Sequence, residues 1–431
     1  MKHNFFYKLR FVKIKDIIHL LYFIIAFPLA KIYRLYRKEL WLICEYENEA
    51  RDNGYYLFRH LRRNHKEIDA VYAINKSCRD YRKVDTIGKT VQYGGLLHWI
   101  FYLAAEVNIS SQKGGKPNAA VCYLLEVYGI IKNTRVFLQH GVIMNDLPYL
   151  HYKNSKVRLF MCSSEKERAF VIDAFGYPEE YVVNTGLCRF DALIDERTTS
   201  QTIFVCPTWR SWIAHPVKES NEIEDISDFK KTRYYKYWSQ LLMSSELNEL
   251  LAEKELQLIF CPHRNMAPFI KDFQSQSPRV KIVSWEEEDI HKRITSSDMI
   301  ITDYSSISMD FAYQDKPLIY YQFDKELFHK AHQPSGYFDY HEDGFGPVCD
   351  NINEVLKSFK EAVENGLRPV EKYKAKIDEF FILRDSNNCE RNYAAIKKAI
   401  SEVRRLGYER KNRFRSYMGR RQRPRMETRE R

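Results

Sequence analysis

The most constraining feature of this chain is a repeated alternation of short, fully apolar runs with amphipathic stretches. LWLICEY (40–46), AVYAIN (70–75), AEVNISS (105–111), TRVFLQH (134–140) and RLFMCSS (158–164) each read as a strand, with helices over residues 50–65 and 165–176. After a polar break at Arg197–Ser200 the pattern restarts with TIFVCPT (202–208), LQLIFCPH (256–263), VKIVSW (280–285), DMIITDY (298–304) and PLIYYQF (317–323), around a helical stretch at 234–254. Strands apolar along their whole length are buried on both faces, which implies parallel sheets covered by helices. Two such runs imply an α/β protein of two Rossmann-like, doubly wound domains, 40–198 and 199–375, with a helix over 376–405 packing back. Ligands of such sheets bind beyond the carboxyl ends of the strands, so the residues at strand exits carry the functional information.

Charge marks out the ends of the chain. Of a net +11, residues 1–40 hold +7 and residues 404–431 hold +9, leaving a body at −5. Basic ends on a mildly acidic body suit an anionic surface, either phospholipid or nucleic acid. At the N-terminus lipid is favoured. Ile17–Ala30 is an apolar run of 14 residues interrupted by His19 and Pro28, short of the ~20 that span a bilayer. Lys8, Arg10, Lys13 and Lys15 precede it, and Lys31, Arg34, Arg37 and Lys38 follow. Residues 1–39 are therefore read as a peripheral membrane-associating segment on the cytoplasmic face; a core helix and a true span are the alternatives. Residues 406–431 read as a solvated basic tail, and no nucleic-acid partner is expected because no nucleic-acid module accompanies it. The nine cysteines contain no CxxC pair, which argues for a reducing compartment and against a zinc site or disulfide framework. No other His/Asp/Glu group has ligand spacing, so no metal is expected.

Three strand exits carry chemistry. The first is Leu138-Gln139-His140-Gly141-Val142, where His140 can serve as a general base near neutral pH and Gly141 permits close approach of a ligand or backbone. The second is Cys261-Pro262-His263-Arg264, which repeats the strand-then-histidine pattern in the other half; Arg264 suits a developing phosphate charge. A structural histidine bonded to a carbonyl is the alternative for each. The third is Ile301-Thr302-Asp303-Tyr304-Ser305-Ser306, a hydroxyl-rich turn entering a helix, read as a phosphate site without the P-loop pattern; a plain N-cap is the alternative. Pro207-Thr208-Trp209-Arg210 places Arg210 at a further exit, either on a phosphate or in a surface pair.

HGV at 140–142, GLCRFDAL at 186–193, CPTWR at 206–210, CPH at 261–263, TDYSS at 302–306 and GYFDYHEDGFGPVCDNINEVL at 336–356 occur in one order. Together with ARDNGYYLF at 50–58 and RDSNNCERNYAAI at 384–396 they resemble the CDP-glycerol glycerophosphotransferase family of teichoic-acid primases and polymerases, over about residues 40–400. The layout is similar to the short, primase-like members. The resemblance implies a GT-B fold with the active site between two domains. It implies transfer of a polyol phosphate from CDP-glycerol or CDP-ribitol to a hydroxyl of a lipid-linked cell-wall or capsule glycopolymer, releasing CMP. It also implies association with the anionic inner membrane face, and no cofactor beyond the CDP-polyol substrate. By the same resemblance His140 is the base and His263 the second essential histidine. Thr302, Ser305 and Ser306, with Asp303, Arg210 and Arg264 beside them, hold the diphosphate. Many members continue HGTP into Leu-Lys, whereas this chain reads HGVIMND, so Gly141, Asn145 and Asp146 are assigned to the acceptor or polyol loop. A nucleotide-sugar transferase using Asp310 to grip a sugar, and a non-catalytic membrane scaffold, are the competing expectations.

Overall fold

The computed structural model describes residues 14–36, 39–131, 133–215 and 224–421. Lys8, Arg10, Lys13, Arg37, Lys38 and the last ten residues of the basic tail lie outside them. Among the described residues thirteen strands form two wholly parallel sheets. The first contains β1 (Leu40–Cys44), β2 (Asp69–Ile74), β3 (Thr90–Gln92), β4 (Val107–Ser110), β5 (Arg135–Phe137), β6 (Leu159–Cys162) and β7 (Val182–Asn184), in the order 3-2-1-4-5-6-7. The second contains β8 (Thr202–Val205), β9 (Gln257–Phe260), β10 (Val280–Ile282), β11 (Met299–Thr302), β12 (Leu318–Tyr321) and β13 (Val348–Cys349), in the order 10-9-8-11-12-13. Each order reverses once, between β1 and β4 and between β8 and β11, and each reversal opens a crevice at the carboxyl edge.

The apolar strands are buried along their length, as LWLIC and MIIT show. Each sheet has apolar layers on both faces. Trp41 and Tyr72 lie on one side of the first sheet, Leu42 and Trp99 on the other. One layer of the second sheet is not confined to its own lobe. Val142, Met144, Leu187 and Phe190 of the first half pack with Phe204, Phe311, Tyr340 and Phe380 of the second. The lobes therefore share a core, which fixes the cleft between them.

Five helices position the site or its surroundings: α1 (Ile14–Tyr36), α2 (Asn53–Asn64), α3 (Leu96–Ala104), α4 (Cys188–Asp195) and α5 (Ile307–Tyr313). A sixth, α6 (Asn388–Arg421), returns from the second lobe to pack on α2 and α4. Its start is capped from α4, where Asp191 accepts from the Asn388 and Cys389 amides at 2.9 and 2.8 Å. Gly186, at φ +72°, makes that contact possible, since a Cβ there would lie 1.8 Å from Asn388 Oδ1.

Several sequence expectations change in detail. The short strands β3, β7 and β13 have too few apolar residues to stand out. The stretch at 234–254 divides at Ser244, whose hydroxyl caps a second helix by accepting from Leu247 N–H at 3.2 Å. The basic stretch from 406 is not all irregular, because α6 continues to Arg421. The N-terminal apolar run extends into a helix of 23 residues; Lys15–Tyr36, mean hydropathy 1.6, is long and apolar enough to cross a membrane by length and composition. One face of it is docked on α3: Ala26 and Ala30 are buried there, and Trp99 Nε1–H donates to His19 Nδ1 at 3.1 Å. Arg34, expected as a lipid-facing cation, instead donates to the carbonyls of Ala104 and Ala105 at the end of α3.

Candidate active site

Beyond the carboxyl ends of both sheets the lobes enclose a cavity of about 200 Å³. His140, Gly141 and Asn145 line it from the first lobe, and Trp209, His263 and Ser305–Ser306 from the second. The two histidines leave non-equivalent strands: β5 lies beside β4, on one flank of its reversal, whereas β9 lies beside β8, on the opposite flank. They share the cavity because both strand ends face the same cleft.

His140 is held through its backbone. Gln139, before it, sits in the left-handed region at φ +62°, a costly conformation for a residue with a side chain. Asn53 at the start of α2 donates to Gln139 O at 2.7 Å and accepts from Arg189 N–H at 2.8 Å. Arg189 Nη1 donates to His140 O at 2.8 Å, while Nη2 pairs with Asp310 of the other lobe at 2.6 Å. The following loop hangs on Glu167, which is buried and accepts from Ile143 N–H and Ser163 N–H at 2.7 Å each. The His140 ring makes no hydrogen bond among the described residues. It opens to the cleft while protein surrounds it on its other sides. Burial, with Arg189 and Arg264 nearby, lowers its pKa to about 4. The ring is thus neutral at pH 7 and able to accept a proton; a bound anion would raise its proton affinity.

His263 is set differently. Its Nδ1 accepts from Asn265 N–H at 3.2 Å, so the neutral ring carries its proton on Nε2 and acts as a donor. Trp209 stacks along it at 6.0 Å and 20°. Burial, then Arg264 and His140, lower its pKa to about 4.

The hydroxyl turn after β11 divides into two parts. Ser305 and Ser306 line the cavity. Thr302 and Asp303 do not: both are fully buried. The Thr302 hydroxyl donates to Cys206 O at 2.6 Å, and Asp303 accepts from Thr208 N–H and Tyr304 N–H at 2.8 and 2.7 Å. These two residues tie the β8 exit to the β11 exit across the reversal and are out of reach of a diphosphate. Arg210 is likewise neither on the cleft nor on the surface. Its guanidinium is fully buried, bidentate to Asp324 at 2.7 and 3.0 Å and 2.9 Å from Asp303. Burial disfavours its charge, but Asp324 and Asp303 more than offset that and hold it protonated. Arg264 is exposed and pairs with Glu49 of the opposite lobe at 3.1 Å, at the rim. Asn145 lines the cavity with its amide bonded to Gln333 at 3.1 Å, whereas Asp146 turns away to His151 at 2.7 Å. At Gly141 the close neighbour is Ser306: a Cβ would meet Ser306 Oγ at 2.6 Å.

Glu167 carries no strand-exit signal, and within the 186–191 stretch, a structural interdomain turn by sequence, nothing local marks the pairing of Arg189 with Asp310, 121 positions away. His332 likewise lines the cavity without a strand-exit signal. His60, His65 and Glu390 form a histidine–carboxylate group outside the cavity lining, their ligand atoms within 4.8 Å of one another; both Nε2 atoms lie 2.8 Å from the same Glu390 oxygen. No ligand spacing in the sequence marks this group, since Glu390 joins it from α6.

The sequence profile of the family described as CDP-Glycerol:Poly(glycerophosphate) glycerophosphotransferase matches residues 25–398. The minor teichoic acid biosynthesis protein GgaB of Bacillus subtilis (strain 168) is 29% identical over 370 residues, covering 84% of this chain and 40% of GgaB. The teichoic acid ribitol-phosphate polymerase TarK of Staphylococcus aureus (strain NCTC 8325 / PS 47) is 23% identical over 298 residues, covering 64% of this chain and 52% of TarK. The chain thus spans about half or less of the length of these relatives. The structure of the wall teichoic acid polymerase TagF superposes with a TM-score of 0.60 at 16% identity, over 92% of this chain and 98% of that one. The fold is therefore GT-B-like.

Proposed function

Because the chain belongs to the CDP-glycerol:poly(glycerophosphate) glycerophosphotransferase family, we propose that its cleft transfers a polyol phosphate from a CDP-polyol to a hydroxyl of a teichoic-acid-type glycopolymer, releasing CMP. The observation that carries this reading is the meeting of an unengaged imidazole from one lobe, His140, with a proton-bearing imidazole from the other, His263, beside Ser305 and Ser306 in one cavity. His140 takes the proton of the acceptor hydroxyl as its oxygen attacks the phosphorus that bears the polyol. The bond from that phosphorus to the bridging oxygen breaks, and CMP departs with the electron pair. His263 Nε2–H and the two serine hydroxyls donate to the phosphoryl oxygens as charge redistributes. Positioning and electrostatics carry most of such a reaction.

CDP-glycerol is the leading donor, and CDP-ribitol is the second because TarK is a ribitol-phosphate polymerase. A nucleotide-sugar reading loses its carboxylate, since Asp310 is buried against Arg189 rather than presented to the cavity. Incubation with CDP-glycerol, CDP-ribitol and UDP-sugars, each with a glycopolymer acceptor, tests this. CMP release from a CDP-polyol, lost in His140→Ala, is expected. UDP release, or turnover unchanged in His140→Ala, overturns it. The docked α1 exposes Ile17, Leu21, Ile24, Ile25 and Ile32 on its outer side, each about half accessible. This supports lodging in the plane of a membrane surface, where a lipid-linked acceptor is met. Replacing Leu21, Ile24 and Ile25 by serine should abolish co-sedimentation with anionic vesicles; undiminished binding would place the anchor elsewhere.

A further inference from the structure

One imidazole of the cavity has no part in the transfer just described. His332 follows the short helix Lys325–Ala331 and lines the same wall as His263 and Ser305. Its Nδ1 accepts from Ser211 N–H at 3.1 Å, which leaves the proton of the neutral ring on Nε2. That Nε2 is buried and has no hydrogen-bond partner among the described residues. Thr208 Oγ1, also in the lining, is buried beside the Asp303 carboxylate but makes no hydrogen bond of ordinary geometry among the described residues. Both residues are held in place. Trp209 meets the His332 ring edge-on at 4.5 Å and 88°, Phe328 packs against it at 4.9 Å, and Ser211 Oγ donates to Ala331 O at 2.9 Å. Thr208 is tied through its amide to Asp303, the carboxylate that also holds the amide of Tyr304 at the head of the hydroxyl turn.

An unpaired buried donor costs about 1–3 kcal/mol. Two such groups on one cavity wall, the His332 N–H fixed in direction and the Thr208 hydroxyl able to turn, suit a ligand that brings acceptors. The neighbours on that wall are Ser305, Ser306 and His263, all donors as well, so the missing group is rich in acceptors and poor in donors. Phosphate oxygens meet that description. Burial, with Arg210 and His263 nearby, lowers the pKa of His332 to about 4, so at pH 7 it offers a neutral N–H of fixed direction.

We propose that His332 and Thr208 form a donor pair that binds the non-bridging oxygens of the nucleoside diphosphate, through Nε2–H and Oγ1–H. This rests on the reading of the cleft as a CDP-polyol site and adds two residues to it. Calorimetric titration of the full chain with CDP and with cytidine tests it without acceptor or turnover. His332→Ala is expected to weaken CDP binding by roughly 10–100-fold and Thr208→Val by somewhat less, as for hydrogen bonds to a charged group. Cytidine affinity should stay within twofold. His332→Gln, whose amide nitrogen can reach the Nε2 position, should recover part of the loss, which a purely structural role would not allow. A parent that binds CDP while His332→Ala binds it equally overturns the pair alone. Equal weakening of CDP and cytidine overturns the assignment to the diphosphate. A folded parent with no affinity for CDP overturns the underlying reading of the cleft.

Discussion

Arg210 offers the sharpest test of how the second lobe is built. Strand-exit logic puts this guanidinium on a phosphate; the structure puts it under the cleft, fully buried, between Asp324 and Asp303. Arg210→Ala would leave two buried carboxylates without their counter-charge, remove the donor to Thr208 O at 2.7 Å, and open space beside Tyr304. Breaking a buried pair by removing one partner costs about 3–5 kcal/mol. The lobes share a core and unfold as one unit of roughly 400 residues, for which each kcal/mol moves Tm by about 1 °C or a little more, so the unfolding transition should fall by roughly 4–6 °C. Arg210→Lys keeps the charge but not the bidentate fork and should lie between. Scanning calorimetry of the purified chain reads this directly, paired with CDP titration well below the transition. A variant with the parental Tm and abolished CDP binding would refute the buried-buttress assignment and return Arg210 to the phosphate.

Three further outcomes follow from the same geometry. Gly141→Ala places a methyl 2.6 Å from Ser306 Oγ and 3.2 Å from Ser306 Cβ, so transfer activity should fall; adding Ser306→Ala should recover only part of it, and a fully active Gly141→Ala would show that the lobes do not close at this point. In Arg189→Lys a single ammonium cannot serve both His140 O and Asp310, so kcat should drop roughly 10–100-fold through misplacement of the base, with CDP affinity retained; unchanged kcat in steady-state assays would remove Arg189 from base positioning. Because His140 and His263 are held near 4 in the free protein, both are neutral above that pH, and kcat/KM should be lost only as pH falls through about 4. The acid limb of kcat should lie higher, since a bound anionic donor favours the imidazolium. An acid limb of kcat/KM near 6.5 would contradict desolvation of these two cleft imidazoles.

The sequence carried the two-sheet architecture because the strands at 40–44, 202–205 and 299–302 are apolar on both faces and terminate at polar motifs. It pointed to His140, His263, Ser305 and Ser306 as cleft-facing positions, and they line the cavity, because strand exits at the carboxyl edge face the cleft. It failed where a role depends on a distant partner. Thr302 and Ser305 look alike in a row of hydroxyls, but Thr302 is the last residue of β11 and turns inward to Cys206, whereas Ser305 has left the strand. Arg210 and Asp324 are 114 positions apart, and nothing local to either announces their pairing. Asp146 was lost to His151 five residues on, a contact that depends on the turn between them. His332 was invisible because its meaning lies in the Ser211 amide that fixes its tautomer.

The return of α6 to the first lobe has a mechanical consequence. The polypeptide passes between the halves twice, once near Arg197–Ser200 and again before Asn388, where Asp191 clamps the helix start. Beside the shared core, the halves are therefore pinned at both passages, as two stitches pin a book. A protease cut at the first passage would leave the halves sewn together by the second.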